Sequence, residues 1–352
     1  MLFIWLGIAI LALVLRDVFQ TVLVPRGKAV HFTIASILVR NILWPPYRWL
    51  ANKIGAPVWK AEFLGMFAPS VLIMLLTMWI LFLVLGFGLI LFALSKDVAP
   101  PIESFSSALY VAGSNVLTIG GDYVGKTQTV RFVILASAFS GMIITASVVS
   151  LLFTLIGSLQ RREVLVSITG NIAGSPPSGI AILETYNSLK GRQSLSGFYD
   201  DWQGWCADVL DSHRAYPLLP YFYSTDPLTA WLTSLGAVLD SIALLVCVAP
   251  DADLFSAKLT YRLGTKVVKE LAENWNLYNA AGADVSQEDF DSLYLRLKEA
   301  NYVVTSDIMA KQEFVKMRQD YAALHQAICA YISVPQTPLL TERRIPLAAT
   351  EI

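Results

Sequence analysis

Two long stretches without a charged residue constrain this chain more than any other feature of its sequence. One covers Leu64–Ser95, and the other lies between Arg131 and Arg161. An α-helix rises about 1.5 Å per residue and the hydrocarbon core of a bilayer is roughly 30 Å thick, so a span needs around 20 apolar residues. Both stretches exceed this length. They predict an all-α membrane protein with an outer helix over 64–95 and an inner helix over 128–160.

The charged residues are concentrated in the second half of the chain. The whole chain is 55% hydrophobic and only 15% charged, whereas a soluble domain is about 25% charged. Residues 1–160 contain 10 Lys/Arg and 5 Asp/Glu, and residues 161–352 contain 16 and 22. This contrast predicts a helical cytoplasmic domain over 161–352. The net charge of −1 argues against nucleic-acid binding, which a basic patch would favour.

The N-terminal region, 1–63, is predicted to contain a further transmembrane helix over residues 2–24. Arg16 and Asp17 interrupt its apolar sequence. A charged side chain costs about 3 kcal/mol at the bilayer centre on insertion scales. We therefore expect both side chains to face protein or lipid headgroups.

The rest of this region, residues 25–64, forms a connector that sets the expected orientation. It carries six basic residues and one acid, Glu62, and basic connectors stay on the cytoplasmic side. This predicts a multi-pass protein of the cell membrane with residues 161–352 in the cytoplasm. Four aromatic residues lie among the basic ones, which is typical of a helix lying on the lipid surface; these are Trp44, Tyr47, Trp49 and Trp59.

The segment between the two strong spans has the composition of a re-entrant loop. Residues 104–116 are small, apolar or hydroxylated and follow two prolines and Glu103, which is a typical helix start. A helix of this length measures about 20 Å and cannot cross the bilayer. Glycine-containing backbone follows at Thr118–Asp122. Within a membrane, such backbone is tolerated only beside protein or a water-filled path, so we predict a pore helix and filter over 103–123.

The residues of this predicted filter suit cation conduction. The backbone carbonyls of Thr118, Ile119 and Gly120 can replace a cation's hydration shell, because glycine allows the peptide planes to turn at positive φ. Gly121 belongs to the same stretch, and Asp122 would add carboxylates at the outer mouth. A plain extracellular loop remains the alternative, since small-residue helices are common in membrane proteins.

Residues 64–160 resemble the tetrameric potassium-channel superfamily in its outer helix, pore loop and inner helix form. Leu109-Tyr110 precedes Thr118 as in that family, and Thr118-Ile119-Gly120 is similar to the start of the filter Thr-Val-Gly-Tyr-Gly-Asp. Residues 17–25 also resemble N-terminal segments of bacterial two-helix channel-like proteins. The resemblance implies a homotetramer that conducts potassium, and it makes Gly141 of the inner helix a candidate gating hinge. A packing glycine is the alternative at this position, because glycine is frequent in transmembrane helices.

The chain departs from the family at Gly120-Gly121-Asp122, where the family has Gly-Tyr-Gly-Asp. Either Gly121 replaces the tyrosine, or one residue is deleted. We prefer the deletion, because it aligns Gly121-Asp122 with the Gly-Asp of the family. Both versions remove the aromatic residue that braces the family's filter. Sodium, calcium or mixed permeability therefore remains open, as does a non-conducting membrane-anchored scaffold or receptor.

Residues 120–127 also match GxxxxGK[ST], the pattern of a phosphate-binding loop. This pattern requires a strand before it and a soluble helix after it. Here a predicted membrane span follows, and no alternating strand–helix pattern surrounds it, as a parallel sheet would need. We therefore do not predict nucleotide binding at Lys126.

Helical periodicity dominates residues 161–352. Thr229–Ala249 is apolar and nearly long enough to span, but a span there would place basic residues outside, so we predict a buried core helix. Residues 310–331 follow a heptad pattern, which predicts bundle core or a contact between subunits. Two further apolar stripes have helical spacing. The first consists of Phe198, Trp202, Trp205 and Val209, and the second of Phe255, Leu259, Leu263, Val267, Leu271 and Trp275. The same region contains the three cysteines, Cys206, Cys247 and Cys329.

Catalytic and metal-binding patterns are not evident in the sequence. The cysteines form no CxxC pair, and His31, His213 and His325 do not share metal-ligand spacing. We expect His213 to cap a helix C-terminus, where a cation is stabilised. The chain is therefore predicted to be no enzyme and to need no cofactor beyond the permeant cation. An unidentified cytoplasmic regulator could act on residues 161–352.

Overall fold

The structure is a computed structural model that describes residues 1–22, 38–189, 191–249, 254–278, 284–304 and 308–342. The chain divides into two compact units. The N-terminal unit comprises Met1–Gly157 and Arg214–Leu219, and the C-terminal unit comprises Ser158–His213 and Pro220–Ile352. Helices predominate in both units.

Within the described residues, six α-helices begin in the N-terminal unit. They are α1 (Leu2–Val22), α2 (Trp44–Ala51), α3 (Pro57–Gly65), α4 (Phe67–Ala93), α5 (Phe105–Val116) and α6 (Gln128–Ala173). A single turn of π-helix, Leu38–Leu43, precedes α2. Two short strands, β1 (Val98–Ala99) and β2 (Val124–Gly125), flank the segment that contains α5.

Three helical stretches in the described part of the chain are long and apolar enough to cross a membrane. They are Leu2–Val22, Pro57–Ala93 and Gln128–Ala173. At 1.5 Å per residue, even the shortest, with 21 residues, measures about 32 Å. The three spans predicted from the sequence are thus confirmed by length and composition, and the chain has the character of an all-α membrane protein.

The inner helix continues well beyond its predicted end at residue 160. Helix α6 runs through Arg161 and Arg162 to Ala173. Arginine is a favourable residue within a helix, and here the Arg162 side chain is buried, with its guanidinium 2.9 Å from the carboxylate of Glu163. Helix α6 ends where Gly174 takes a left-handed φ of 93°, a conformation that glycine adopts without steric cost.

Helix α1 packs closely against α4 through two glycines. A Cβ atom on Gly7 would lie 2.6 Å from the carbonyl oxygen of Gly86, so only glycine allows the two helices to approach this closely. Asp17 is buried in the same contact and accepts a 2.9 Å hydrogen bond from Trp79 Nε1. The expectation that Asp17 faces protein is therefore confirmed, whereas Arg16 is exposed.

The connector is mostly helical where the structure describes it, and residues 23–37, with His31, lie outside the described residues. Trp44 is buried, and Tyr47 stacks on Phe63 with ring centroids 4.3 Å apart. Trp49 and Trp59 are largely exposed. Trp44 and Tyr47 thus hold α2 by contacts within the unit, whereas Trp49 and Trp59 are free to contact lipid.

The C-terminal unit is built around one buried helix. Its further helices are α7 (Gly179–Ser188), α8 (Leu195–Ala215), α9 (Trp231–Cys247), α10 (Phe255–Asn274), α11 (Gln287–Glu299), α12 (Ile308–Gln319) and α13 (Ala322–Ile332). Every residue of α9 except Val246 is buried, because α7, α10, α12 and α13 pack around it. The predicted core helix is confirmed.

One predicted helical pattern of this unit is only partly confirmed, and a second is divided between two helices. On α10 the predicted stripe is confirmed at Val267 and Leu271, which are buried, and is wrong at Phe255, which is 70% exposed. The buried face also includes small residues such as Ala257, Thr260 and Gly264. Small residues face the core because α10 approaches α9 closely: a Cβ on Gly264 would lie 2.8 Å from Leu239. The heptad pattern over 310–331 is divided between α12 and α13, so it forms no continuous coiled coil.

The remaining predictions for the C-terminal helices agree with the structure. Phe314, Tyr321 and Ile328 of the heptad pattern are buried within the unit, which confirms the prediction of bundle core. The four residues of the first stripe, Phe198, Trp202, Trp205 and Val209, are also buried.

Candidate functional site

The predicted short helix after the outer span is present as α5, Phe105–Val116. Ser104 caps its N-terminus by accepting a 3.1 Å hydrogen bond from the backbone N–H of Ser107, which satisfies one of the free donors at a helix start. The helix packs against α4, where Gly88 leaves space for Leu109. Its 12 residues measure about 18 Å, too short to cross a bilayer.

The C-terminus of α5 closes in a Schellman motif. The N–H of Ile119 donates to the carbonyl of Ser114 at 2.8 Å, and the N–H of Thr118 donates to Asn115 at 2.9 Å. Thr118 occupies the left-handed position of the motif with φ 57°, where glycine is usual. A β-branched residue pays about 1–2 kcal/mol there, so the surrounding fold holds Thr118 in a strained conformation.

The five candidate filter residues, which start with Thr118 of this cap, lie on an exposed loop. Gly120 has φ 80°, whereas Gly121 does not enter the left-handed region. All residues from Leu117 to Asp122 are exposed, and Ile119 is 74% exposed. Within the described residues, no hydrogen bond ends on the carbonyl oxygens of 118–121. These oxygens are therefore available to an external ligand.

A two-stranded ladder holds the two ends of the loop together. Strand β1 pairs with β2 in antiparallel register, Val98 opposite Gly125. The N–H of Lys126 donates to the carbonyl of Asp97 at 2.8 Å, and Arg131 Nε donates to the carbonyl of Gly125 at 2.9 Å. The polypeptide thus leaves α4, forms α5 and the exposed loop, and returns to the start of α6.

The same ladder contains the end of the GxxxxGK[ST] match. The described residues form one sheet, and it consists of two short antiparallel strands, not the parallel sheet that positions a phosphate-binding loop. The Lys126 ammonium lies 3.4 Å from the carbonyl oxygen of Lys96. Lys126 therefore helps to close the loop in this structure.

Gly141 lies where the inner helix crosses the end of α5. A Cβ on Gly141 would lie 1.9 Å from the carbonyl oxygen of Val116, so the two backbones are in direct contact. This contact supports the alternative that Gly141 is a packing glycine. Its role as a gating hinge stays a prediction. The sequence contains no sign of the role of Val116, because the contact joins residues far apart in the chain.

His213 occupies the last turn of α8 but does not act as an exposed cationic cap. It is buried against the Trp231 ring, with centroids 5.1 Å apart, and its Nε2 has no hydrogen-bond partner among the described residues. Burial, together with the nearby charge of Arg162, holds the pKa of His213 well below its usual 6.5. The lowered pKa favours the neutral side chain, which does not suit the predicted role of a cationic cap.

We expect the free energy of unfolding of the C-terminal unit to fall as the pH drops below about 6.5. The unfolded chain then binds a proton that folded His213 does not, at about 1.4 kcal/mol per pH unit. His325, whose pKa burial also lowers, contributes in the same direction. Denaturant unfolding of His213→Phe between pH 7.5 and 5 should show a smaller slope than wild type, and an unchanged slope would contradict the prediction.

Comparison of the chain with known protein families, with curated proteins and with solved structures found no match. Among the described residues, no group of three or more His, Cys, Asp and Glu side chains is arranged to hold a metal ion. The predicted site residues that lie together are Thr118–Asp122, and Gly141 contacts the helix that precedes them.

Proposed function

We propose that this chain forms a passive cation pore in the cell membrane, with Thr118–Asp122 lining the conduction path. One observation carries the proposal. Helix α5 is too short to span the bilayer and ends in an exposed loop, and within the described residues the carbonyl oxygens of 118–121 accept no hydrogen bond. The C-terminus of a helix carries a partial negative charge. Free carbonyl oxygens beside it favour a cation and can replace part of its hydration shell.

The pore would be a homotetramer with the conduction path on its symmetry axis. One loop supplies only part of a ring of oxygens, and closed cyclic symmetry completes the ring with identical copies. The exposure of apolar side chains supports association, since Ile119, Phe132 and Phe139 are each more than half exposed in the single chain. We place the C-terminal unit in the cytoplasm, where a regulator of opening could bind.

Potassium is the first candidate ion, and sodium, calcium or mixed permeability is the alternative. The resemblance at Thr118-Ile119-Gly120 favours potassium. The missing aromatic residue after Gly120 weakens that preference, because selectivity depends on the number and rigidity of the carbonyls that coordinate the ion.

A membrane-anchored scaffold without conduction is the second candidate function. The amides of Thr118, Ile119 and Gly120 all donate back to the last turn of α5. Such a closed cap is also what a purely structural loop would need to end its helix.

Purified protein in liposomes and planar bilayers separates these functions. Bi-ionic reversal potentials for potassium, sodium and calcium would rank the permeant ions. Conduction with a reversal potential set by cation gradients supports the pore. Bilayers that remain silent with correctly folded, oligomeric protein support the scaffold.

We expect Gly120→Ala to abolish the cation flux and Gly121→Ala to preserve most of it. Both glycines have open space where a Cβ would be added, but only Gly120 has positive φ. A strain of about 1 kcal/mol in each of four copies would lower the conducting population roughly a thousandfold. The measurement is fluorescence-detected flux in liposomes containing equal amounts of each variant. Equal loss in both variants would contradict the assigned backbone role of Gly120.

A further inference from the structure

In the C-terminal unit, a segment of the chain without regular secondary structure packs against α9 and α11; we call the surface formed by Thr233, Gly236 and Arg296 the groove. Helix α13 ends at Ile332, and its C-cap residue Ser333 takes a left-handed φ of 59°. Residues 334–342 follow without regular secondary structure. Most of these residues are half-buried, whereas Gln336 and Glu342 are exposed. We call residues 334–342 the C-terminal segment.

Side chains from separate helices bind the backbone of this segment. Thr233 Oγ1 of α9 donates to the carbonyl of Pro335 at 2.8 Å, and Arg296 Nη1 of α11 donates to the carbonyl of Thr341 at 2.7 Å. In the other direction, Thr337 Oγ1 donates to the carbonyl of Thr233 at 2.8 Å. Main-chain hydrogen bonds supply affinity in peptide recognition, and a few side-chain contacts supply specificity.

The groove is held in shape by contacts that do not involve the segment. Arg296 is fixed by a bidentate ion pair with Glu184 of α7, in which Nε lies 2.7 Å from Oε1. Ser178, which hydrogen-bonds Thr341, also caps α7 through the N–H of Ala181. Because these side chains have partners of their own, the groove is preorganised for a peptide.

Gly236 creates the space that Thr337 occupies. A Cβ on Gly236 would lie 2.1 Å from Thr337 Oγ1 and 2.8 Å from Cε1 of His325. Glycine inside a helix is otherwise unfavourable compared with alanine. Its presence in the middle of α9 is therefore explained by the segment and the histidine that pack on it.

We propose that this groove is a peptide-binding site and that residues 334–342 are its exchangeable intramolecular ligand. The ligand it fits is an extended peptide with a proline followed two residues later by a threonine. The tethered segment competes with any free peptide because its effective concentration is high. The proposal does not depend on ion conduction.

Hydrogen exchange of the full-length protein in detergent tests whether the segment can leave. Its amides should exchange faster than those of α9 in wild type, and Thr337→Val should speed their exchange roughly tenfold by removing one hydrogen bond. Gly236→Ala should release the segment as well. Gly204→Ala is the matched control, since Gly204 lies on α8 with nothing within 4 Å of an added Cβ, and it should behave as wild type. If the amides of the segment exchange only when those of α9 exchange, and at the same rate, the proposal is overturned.

Fluorescence anisotropy with a labelled synthetic peptide of residues 334–342 tests the groove itself. Full-length Thr337→Val should bind the peptide roughly tenfold more tightly than wild type, because its own segment competes less. Gly236→Ala should not bind it, because the added methyl group fills the place of Thr337 Oγ1. Gly204→Ala should match wild type. A peptide that binds all four proteins equally, or none, would show that the segment is ordinary core.

Discussion

Among Gly→Ala substitutions in the described transmembrane helices, we expect Gly141→Ala to disrupt the N-terminal unit most. The new Cβ would lie 1.9 Å from the carbonyl oxygen of Val116 and 2.8 Å from its carbonyl carbon. A backbone group cannot rotate away as a side-chain end can, so α5 or α6 must shift. Overpacking costs about 3 kcal/mol in such cases.

The shift would reach the candidate filter directly, because Leu117 and Thr118 follow Val116. We expect Gly141→Ala to lower the yield of monodisperse oligomer in size-exclusion chromatography and to eliminate the cation flux in liposomes. Both measurements are needed, since a pure gating hinge would alter flux and leave assembly intact. Normal assembly with changed open probability would therefore favour the hinge over the packing role.

Gly113→Ala is the matched control for this prediction. Gly113 lies on α5 itself, and an added Cβ would meet Val84 at 3.7 Å, an ordinary van der Waals distance. Alanine is favoured over glycine inside a helix by about 1 kcal/mol, so this variant should assemble at least as well as wild type. Loss of assembly in Gly113→Ala would show that α5 tolerates no substitution and that the contact at Gly141 is not special.

The transmembrane helices could be predicted from the sequence because the bilayer imposes a length and a composition on each of them. The positions of their ends could not, because these depend on distant partners. Helix α6 extends to Ala173 and buries Arg162, whose guanidinium donates to the carbonyl of Phe222 at 2.7 Å. Nothing near Arg162 in the sequence indicates that partner.

In the candidate site, too, the local structure could be predicted from the sequence, whereas the contacts between helices could not. The small residues of 104–116 and the glycines after them predict a short helix and a turn from local preferences alone. The left-handed conformation of Thr118 runs against those preferences, and the contact of Gly141 with Val116 joins two helices. Neither can be derived from residue type, since each results from the packing of α5 between its neighbours.

Asp240 illustrates how a residue that contradicts the local pattern marks a long-range contact. It is the charged residue within the apolar helix α9, and it is buried. Arg318 Nε lies 2.8 Å from its carboxylate, and the hydroxyl of Tyr321 donates to the same oxygen. Burial, and the charge of Asp240 next, raise the pKa of Tyr321 well above its usual value, which keeps this hydroxyl protonated as a donor.

Asp240→Asn is expected to destabilise the C-terminal unit by about 3–5 kcal/mol, because it leaves the buried Arg318 guanidinium without its carboxylate. The measurement is denaturant unfolding in detergent, followed by tryptophan fluorescence. Asp208→Asn is the matched control: its ion pair with Arg161 is 3.2 Å long, and the Arg161 side chain is 60% exposed. Removal of such a surface pair costs about 0–1 kcal/mol.

The double variant Asp240→Leu with Arg318→Met distinguishes the charge from the packing. Replacement of both members of a buried ion pair by apolar side chains of similar size is often neutral or stabilising. We therefore expect the double variant to be more stable than Asp240→Asn, and close to wild type. If the double variant is as unstable as the single one, the loss arises from the shape of the site or from Tyr321, and the buried guanidinium is not its cause.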